Sequence, residues 1–308
     1  MITAIAILGP TASGKSELAM EVALRSGGEI LSVDSRQSYR RLDIGTAKPL
    51  IEDRRRVPHH LIDILELHER SNAVRFAETA HAAVREIVSR GAFPIFVGGS
   101  GLYFRAIAEG LFCVRLDAAR RADFAESVRG VSDEVLYGRL EAVDAESARR
   151  VHRRDRFRIV RALEVYSLTG TPLTELQRRG GTEPAGEQIR FVKIGLELPR
   201  AELHRRIEHR TRAMFERGWR RETEELLASG VDPDWPGMKT LGYPEMVRFI
   251  DGRSTFDETF GWIVERTRQY AKRQITWFRK EPDTTWLAGS AQELLGRTMA
   301  LVRAAVGG

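Results

Sequence analysis

Short apolar runs alternate with amphipathic stretches at both ends of the chain. Ala4 to Leu8 (AIAIL), Glu29 to Val33 (EILSV), Phe93 to Val97 (FPIFV) and Arg190 to Leu198 are each too short for a buried helix and are bounded by turn residues. They read as buried strands, the first beginning at Ile2. Helical periods fill the gaps. Leu18 and Val22 lie one turn apart after the first run, and Phe76, Ala80, Ala83, Val84, Ile87 and Val88 form the stripe of a helix over Ser71 to Arg90, with Ser71 as its cap. Leu102 to Glu109, Pro199 to Ser229 and Phe256 to Arg279 also read as helical, while Pro58 to Leu65 and Thr284 to Leu287 add short strands. This β-α-β alternation predicts a parallel sheet with helices on both faces.

From Arg115 to Gln188 the strand runs disappear and helical periods such as Val135, Leu136, Leu140, Val143 take over. The chain therefore divides into a sheet domain, residues 1–114 and 189–308, and an all-helical insertion, residues 115–188.

Between the first strand and the first helix lies IAILGPTASGKS, which fits G-x-x-x-x-G-K-[ST] with Gly9, Gly14, Lys15 and Ser16 in the fixed places. A strand that delivers the chain into a glycine turn just before a helix start points successive N–H groups inward, making a cradle for phosphates. Lys15 adds a point charge, and the Ser16 hydroxyl sits where a Mg2+ ion bridging two phosphates needs a ligand. The fold class is thus α/β, a P-loop NTPase-like parallel sheet flanked by helices. The second run ends on Asp34, which strand geometry aims at the same crevice; a turn aspartate is the alternative reading. The run at Phe93 to Val97 ends in Gly98, Gly99 and Ser100, where a nucleotide hydrolase would carry a magnesium-ordering acid. Triphosphate hydrolysis loses ground accordingly.

Composition narrows the rest. The 308 residues carry Lys+Arg 49 against Asp+Glu 43, a net charge of +6, with 42% hydrophobic and 30% charged residues. No run approaches the roughly 20 apolar residues of a membrane span, and a strand beginning at Ile2 leaves no space for a leader, so a cytoplasmic protein is expected. The single Cys113 cannot form an internal disulfide, and adjacent His59 and His60 point to different sides, a poor arrangement for a shared metal. Seven arginines against one acid between Arg149 and Arg161 suit a phosphate backbone as well as a solvated helix face. Over Phe256 to Arg279, basic residues interleave with Tyr270, Trp277 and Phe278, a mixture that fits a nucleic acid or simply a helix packed by its aromatics.

Seven segments in order, GPTASGKS, VDSRQSYRRLDIGTAKP, PHHLIDI, VGGSGLYFRA, RALEVYSLTG, LGYPE and TRQYAKRQITWFRK, make the chain resemble the tRNA dimethylallyltransferase (isopentenyl-pyrophosphate:tRNA transferase) family, in its bacterial form without a zinc-finger tail. The resemblance implies transfer of a dimethylallyl group from dimethylallyl diphosphate to the exocyclic amine of the adenosine 3′-adjacent to a tRNA anticodon, with Mg2+ required. Carried over by position, Gly9, Thr11, Ala12, Ser13, Gly14, Lys15 and Ser16 would hold the diphosphate, with Lys239 assisting. Asp34 would take the proton of the attacking amine, with Lys15 and Ser100 as further catalytic groups. Ser35, Arg36, Gln37, Ser100, Arg121, Arg158, Arg161, Lys272 and Arg273 would contact tRNA together with Asp34, the insertion and last long helix gripping the anticodon stem-loop. Ser100 stands where the family commonly has threonine, Arg154 and Phe157 replace an asparagine and a variable polar residue, and Lys239 replaces Arg or Gln. A monomer is expected. The competing readings are a small-molecule kinase with the same loop, a prenyltransferase of free adenine nucleotides, and a tRNA-binding protein without catalysis.

Overall fold

The computed structural model describes residues 1–111, 118–179, 186 and 188–306, which leaves Cys113 and most of the glycine-rich connection after Arg179 outside the described residues. Two compact units result, Met1–Ala108 with Pro184–Gly308, and Glu109–Glu183.

The first unit is built on six parallel strands, β1 (Ile2–Leu8), β2 (Gly28–Val33), β3 (His59–His60), β4 (Phe93–Gly98), β5 (Ile189–Leu196) and β6 (Thr284–Leu287), in the order β3-β2-β4-β1-β5-β6. Ile5, Ile7, Ile95 and Val97 turn to one face and pack on Leu18 and Val22 of α1 (Lys15–Ser26) and Val302 of α14 (Ala291–Val306). The alternate residues Phe96 and Phe191 turn to the other face, where Phe191 meets Phe96 edge-on at 5.2 Å and Phe104 of α4 (Gly101–Glu109) edge-on at 5.1 Å. This is the period-two burial that apolar runs covered on both sides require. Register matters most for function. Leu8 pairs with Gly98 and with Gly195, and Gly98 pairs with Val33, so the chain leaves β1, β2, β4 and β5 at one edge of the sheet.

Four local expectations are corrected. The strand over Pro58 to Leu65 shrinks to His59–His60, because Leu61 (φ 66°) and Asp63 (φ 57°) turn into the left-handed region. The Asp63 carboxylate there accepts from buried Lys48 at 2.5 Å and from Arg54 at 2.8 Å, tying the turn to the long loop after β2. Helix α3 (Ala73–Ser89) is capped by Asn72, not by Ser71, whose hydroxyl bonds that of Tyr103 at 2.6 Å. The helical stretch over Pro199 to Ser229 is two helices, α10 (Arg200–Glu216) and α11 (Trp219–Ala228), broken at Gly218 with φ 93°. Finally, in the long helix α13 (Phe256–Phe278), Phe278 is buried but Trp277 is 37% exposed, so the aromatics do not all point inward.

The second unit contains only helices among its described residues: α5 (Ala118–Ser127), α6 (Asp133–Val143), α7 (Ala145–Arg150), α8 (Arg156–Thr169) and α9 (Leu173–Arg179). Leu136, Leu140, Ala148, Ile159 and Leu163 form its core, whereas Val135, expected on the packing stripe, is 49% exposed. Asp144 fastens α9 to α7, accepting from the amides and hydroxyls of both Ser147 and Thr174 at 2.7–3.0 Å.

Two glycines test this packing in opposite directions. A Cβ at Gly98 would lie 2.0 Å from the Val33 carbonyl oxygen, whereas one at Gly138, inside α6, would meet nothing within 4 Å. In urea denaturation, Gly98→Ala is expected to cost at least about 2 kcal/mol, and Gly138→Ala to add roughly 0.5–1 kcal/mol through helix propensity. Equal effects would contradict the pairing of β2 with β4 at that register.

Candidate active site

The phosphate loop forms where β1 ends. Gly9 adopts φ 145° with room for no more than a light contact, since a Cβ would lie 3.2 Å from the Leu196 carbonyl oxygen; Gly14 at φ 89° opens α1. Ala12 also sits in the left-handed region, at φ 62°, the kind of backbone conformation from which anion-binding nests are built. Lys15 is 9% exposed and folds back over the loop, its Nζ donating to the Pro10 carbonyl at 2.5 Å. Thr11 through Ser16 line a cleft of about 1390 Å3 that also takes in Asp34, Gln37 and Gly99.

Parallel register brings the partner groups across. Asp34 follows β2 directly, and one carboxylate oxygen accepts the Arg36 amide at 2.8 Å, so the turn that sequence allowed as an alternative is present as well. Its other oxygen carries no protein hydrogen bond among the described residues. Buried Ser100 accepts the Ser35 amide at 3.2 Å, which couples the ends of β2 and β4. Tyr270 of α13 lies beside Ser100; burial, and after it the Asp34 charge, pushes its hydroxyl up to about 12. Asp34 and Tyr270 also line a second, smaller cavity of 80 Å3 together with Arg36, whose guanidinium has no ion pair among the described residues.

Two residues that sequence reading passed over complete the cleft. Arg210 of α10 donates to the Thr11 hydroxyl at 2.8 Å and lines both cavities, and burial holds its pKa below the usual arginine range. Gln274 of α13, 5% exposed, accepts the Thr11 amide at 2.8 Å and donates to the Gly99 carbonyl at 2.9 Å, clipping the phosphate loop to the end of β4. Both left a signal. Arg210 shares a face with buried Leu203, Ile207 and Thr211, and Gln274 with Ala271 and Phe278, so each is a polar group on an apolar stripe.

Other expected site residues lie apart from the cleft or are already engaged. Lys239 does not line either cavity; it is exposed on a 3-10 turn and pairs with Asp234, a sequence neighbour that competes for its charge. Gln37 spends its amide within its own loop, accepting from Ser32 at 2.7 Å and donating to the carbonyls of Thr46 and Ala47. Lys272 and Arg273 are exposed on α13, Arg273 lying 5.8 Å from the Tyr270 ring centre. Within the helical unit, Arg121 and Arg161 both pair with the largely buried Glu164, and Arg158 pairs with Asp155 at 2.8 Å. Arg149 and Arg154 are exposed and have no ion pair among the described residues.

Residues 37–281 match the IPP transferase family. The chain belongs to that family. It is 45% identical over 287 residues to a tRNA dimethylallyltransferase of Geotalea uraniireducens, covering 93% of this chain and 92% of the other. It is 48% identical over 282 residues to one of Halorhodospira halophila, covering 91% and 90%. The crystal structure of a tRNA isopentenylpyrophosphate transferase of Bacillus halodurans is similar at 33% identity and a TM-score of 0.70, over 100% of this chain and 99% of that one. A eukaryotic dimethylallyltransferase acting on tRNA shares the fold at 23% identity and a TM-score of 0.82, over 99% and 80%.

The divalent ion expected from the sequence would find a hydroxyl ligand in the phosphate loop. Ser16 is exposed in the first turn of α1 and lines the cleft, and no group of three or more His, Cys, Asp or Glu among the described residues could hold a metal. That set fits Mg2+, which takes few protein ligands and completes its octahedron with phosphate oxygens and water.

Burial, reinforced by Arg210, lowers Lys15 to about 7. In the free protein its proton is therefore lost as pH rises through about 7, whereas an anion in the nest retains it. Binding then takes up a proton above that pH, and affinity falls as pH rises, approaching about tenfold per unit for a single linked proton. Calorimetry with inorganic diphosphate in buffers of different ionisation enthalpy should show this uptake, and Lys15→Met should weaken binding and remove it. Equal proton uptake in both proteins would contradict the role of Lys15.

Proposed function

We propose that this chain transfers the dimethylallyl group of dimethylallyl diphosphate to the exocyclic N6 amine of the adenosine 3′-adjacent to the anticodon in tRNA, acting as a cytoplasmic monomer and releasing diphosphate. One observation carries this: the phosphate loop with Lys15 and Arg210 shares one cleft with the carboxylate of Asp34. Family membership supports the same reading.

The chemistry follows from that placement. The loop amides of residues 11–16, Lys15 and Arg210 hold the diphosphate and stabilise the charge that grows on it as the allylic C–O bond breaks. Ser16 would help to hold Mg2+, which would supply further neutralisation of that charge. The adenine amine is a poor nucleophile because its lone pair is delocalised into the ring. Asp34, through the oxygen not held by the Arg36 amide, accepts a hydrogen bond from it and takes its proton as the N–C bond forms. Ser100, bonded to the Ser35 amide, fixes the turn that aims Asp34. Arg36, Lys272 and Arg273 are disposed to meet the tRNA near the extruded base, whose unstacking costs a few kcal/mol that such contacts must offset. Within the helical unit, Arg149 and Arg154 are better placed for phosphate contact than Arg121, Arg158 and Arg161, which already serve acids. A kinase would use the same loop, but β4 leads into glycines and Ser100, which favours the transferase.

Incubation with labelled dimethylallyl diphosphate, Mg2+ and unmodified tRNA is expected to label the tRNA, and consumption of ATP without labelling would favour the kinase. Asp34→Asn should retain tRNA affinity and lower kcat by about 10²–10⁴, the usual worth of a positioned general base. Parallel loss of tRNA binding would remove Asp34 from that role. Arg149→Gln together with Arg154→Gln should reduce the slope of log K against log salt by about 1–2, with donor binding unchanged.

A further inference from the structure

Helix α8 opens inside the arginine run, and its first turn is firmly held. Asp155 caps it, accepting the Arg158 amide at 3.2 Å, while Arg156 donates to the Val131 and Val128 carbonyls at 2.6 and 2.8 Å and to Asp133 at 2.7 Å. Ile159, Ala162 and Leu163 turn into the core of the helical unit, which fixes the inner face of the helix. Phe157 lies opposite that face and is 83% exposed. The other phenyl-bearing residues described in the unit, Phe124, Tyr137 and Tyr166, are half-buried.

A ring standing in water adds nothing to the packing of the unit, and its surroundings indicate what covers it. Arg153, Arg154 and Arg158 lie within four positions of it, and all three are exposed. Arg154 has no ion pair among the described residues, and Arg153 lies over the Tyr137 ring, 5.0 Å from its centre. An apolar protein surface is a poor cover for such a place, because it would strip water from the guanidinium groups and return nothing. A nucleic acid satisfies both parts, offering phosphate oxygens to the arginines and a π-face to the ring. Bases inside a duplex already stack on their neighbours, so the ring can take only a base that is unpaired and splayed out.

We propose that Phe157 is a stacking platform for an unpaired nucleobase of the RNA substrate, with Arg153 and Arg154 on the phosphates beside it. The inference rests on the tRNA reading and deepens it: the helical unit reads a single-stranded feature of the RNA as well as the charge of its backbone. Phe157 stands where the family usually carries a variable polar residue, so the platform is a feature of this chain. A phenyl ring has neither donor nor acceptor, so it selects for an unpaired base without selecting which base.

The test measures binding of the full chain to two RNAs, an unmodified anticodon stem-loop hairpin and a blunt duplex of the same stem, over a range of salt. Phe157→Ala and Phe157→Leu should weaken hairpin binding about 5- to 100-fold, the usual worth of one stacked base, while Phe157→Trp keeps it. Stacking releases no counterions, so the slope of log K against log salt should stay as in wild type. Duplex binding should not change. Among hairpins carrying one abasic loop position, one should bind wild type as weakly as the intact hairpin binds Phe157→Ala, and the two changes together should cost no more than either alone. Unchanged hairpin affinity in Phe157→Ala, an equal loss on the duplex, or full affinity in Phe157→Leu overturns the proposal. A change of oligomeric state in Phe157→Ala assigns the ring to a second copy of the chain and overturns it as well. Failure of wild type to bind the hairpin overturns the tRNA reading itself, a result visible before any variant is compared.

Discussion

Two cations converge on the phosphate loop, and among the described residues neither has a carboxylate within ion-pair distance. Lys15 donates to a backbone carbonyl and Arg210 to a threonine hydroxyl, while burial pulls the pKa of both below their usual ranges. Asp34 contributes attraction across the cleft without closing a salt bridge to either. Buried charge of one sign is unfavourable unless an anion joins it, so the cleft is electrostatically incomplete on its own. A diphosphate supplies the missing charge, and more of it as its bond to carbon breaks. The folded chain thereby holds in its ground state a preference that is fully met only as the reaction proceeds.

Holding two like charges together demands a rigid frame. The parallel register supplies its base by ending β1, β2 and β4 at one edge. Gln274 supplies its brace, joining the Thr11 amide to the Gly99 carbonyl through one side-chain amide. Because α13 carries Tyr270 one turn earlier, the helix that braces the loop also packs beside Ser100 and Asp34. Glu222 plays a comparable part on the other wall, accepting the amides of Asp43 and Ile44 at 2.9 and 2.7 Å and the Tyr243 hydroxyl at 2.6 Å. The loop after β2 is thus held by helices that follow it by well over a hundred residues.

What was legible in sequence follows from this division. The phosphate loop, the strands and Asp34 are local features: a glycine at φ 145°, an apolar run, an acid at a strand end. Arg210 and Gln274 have no local meaning, since their partner Thr11 lies 199 and 263 positions away; only their place on apolar stripes hinted at burial. Lys239 misled for the converse reason, its neighbourhood resembling the family while Asp234 nearby draws its charge away. Ser71 likewise had the chemistry of a cap, and Tyr103, reached only through the fold, claimed its hydroxyl. Local chemistry was readable wherever a residue's partners were close in sequence, and tertiary competition decided the rest.

The end of β4 shows how firmly the fold commits this loop. Sequence shows merely that Gly98 and Gly99 stand where a hydrolase carries an acid. In the structure, a Cβ at Gly98 would lie 2.0 Å from the Val33 carbonyl oxygen and one at Gly99 2.0 Å from the Gln274 amide nitrogen. The first obstacle is backbone in the neighbouring strand, and the second is the brace of the phosphate loop. An acid could be introduced there only by parting β2 from β4 or by releasing Gln274, and either change would disturb the nest that the acid was meant to serve. The same close packing that removes a water-ordering carboxylate brings Ser100 within reach of the Ser35 amide and sets the turn that holds Asp34. Exclusion of one chemistry and positioning of the other are therefore consequences of how closely the end of β4 packs against β2 and Gln274.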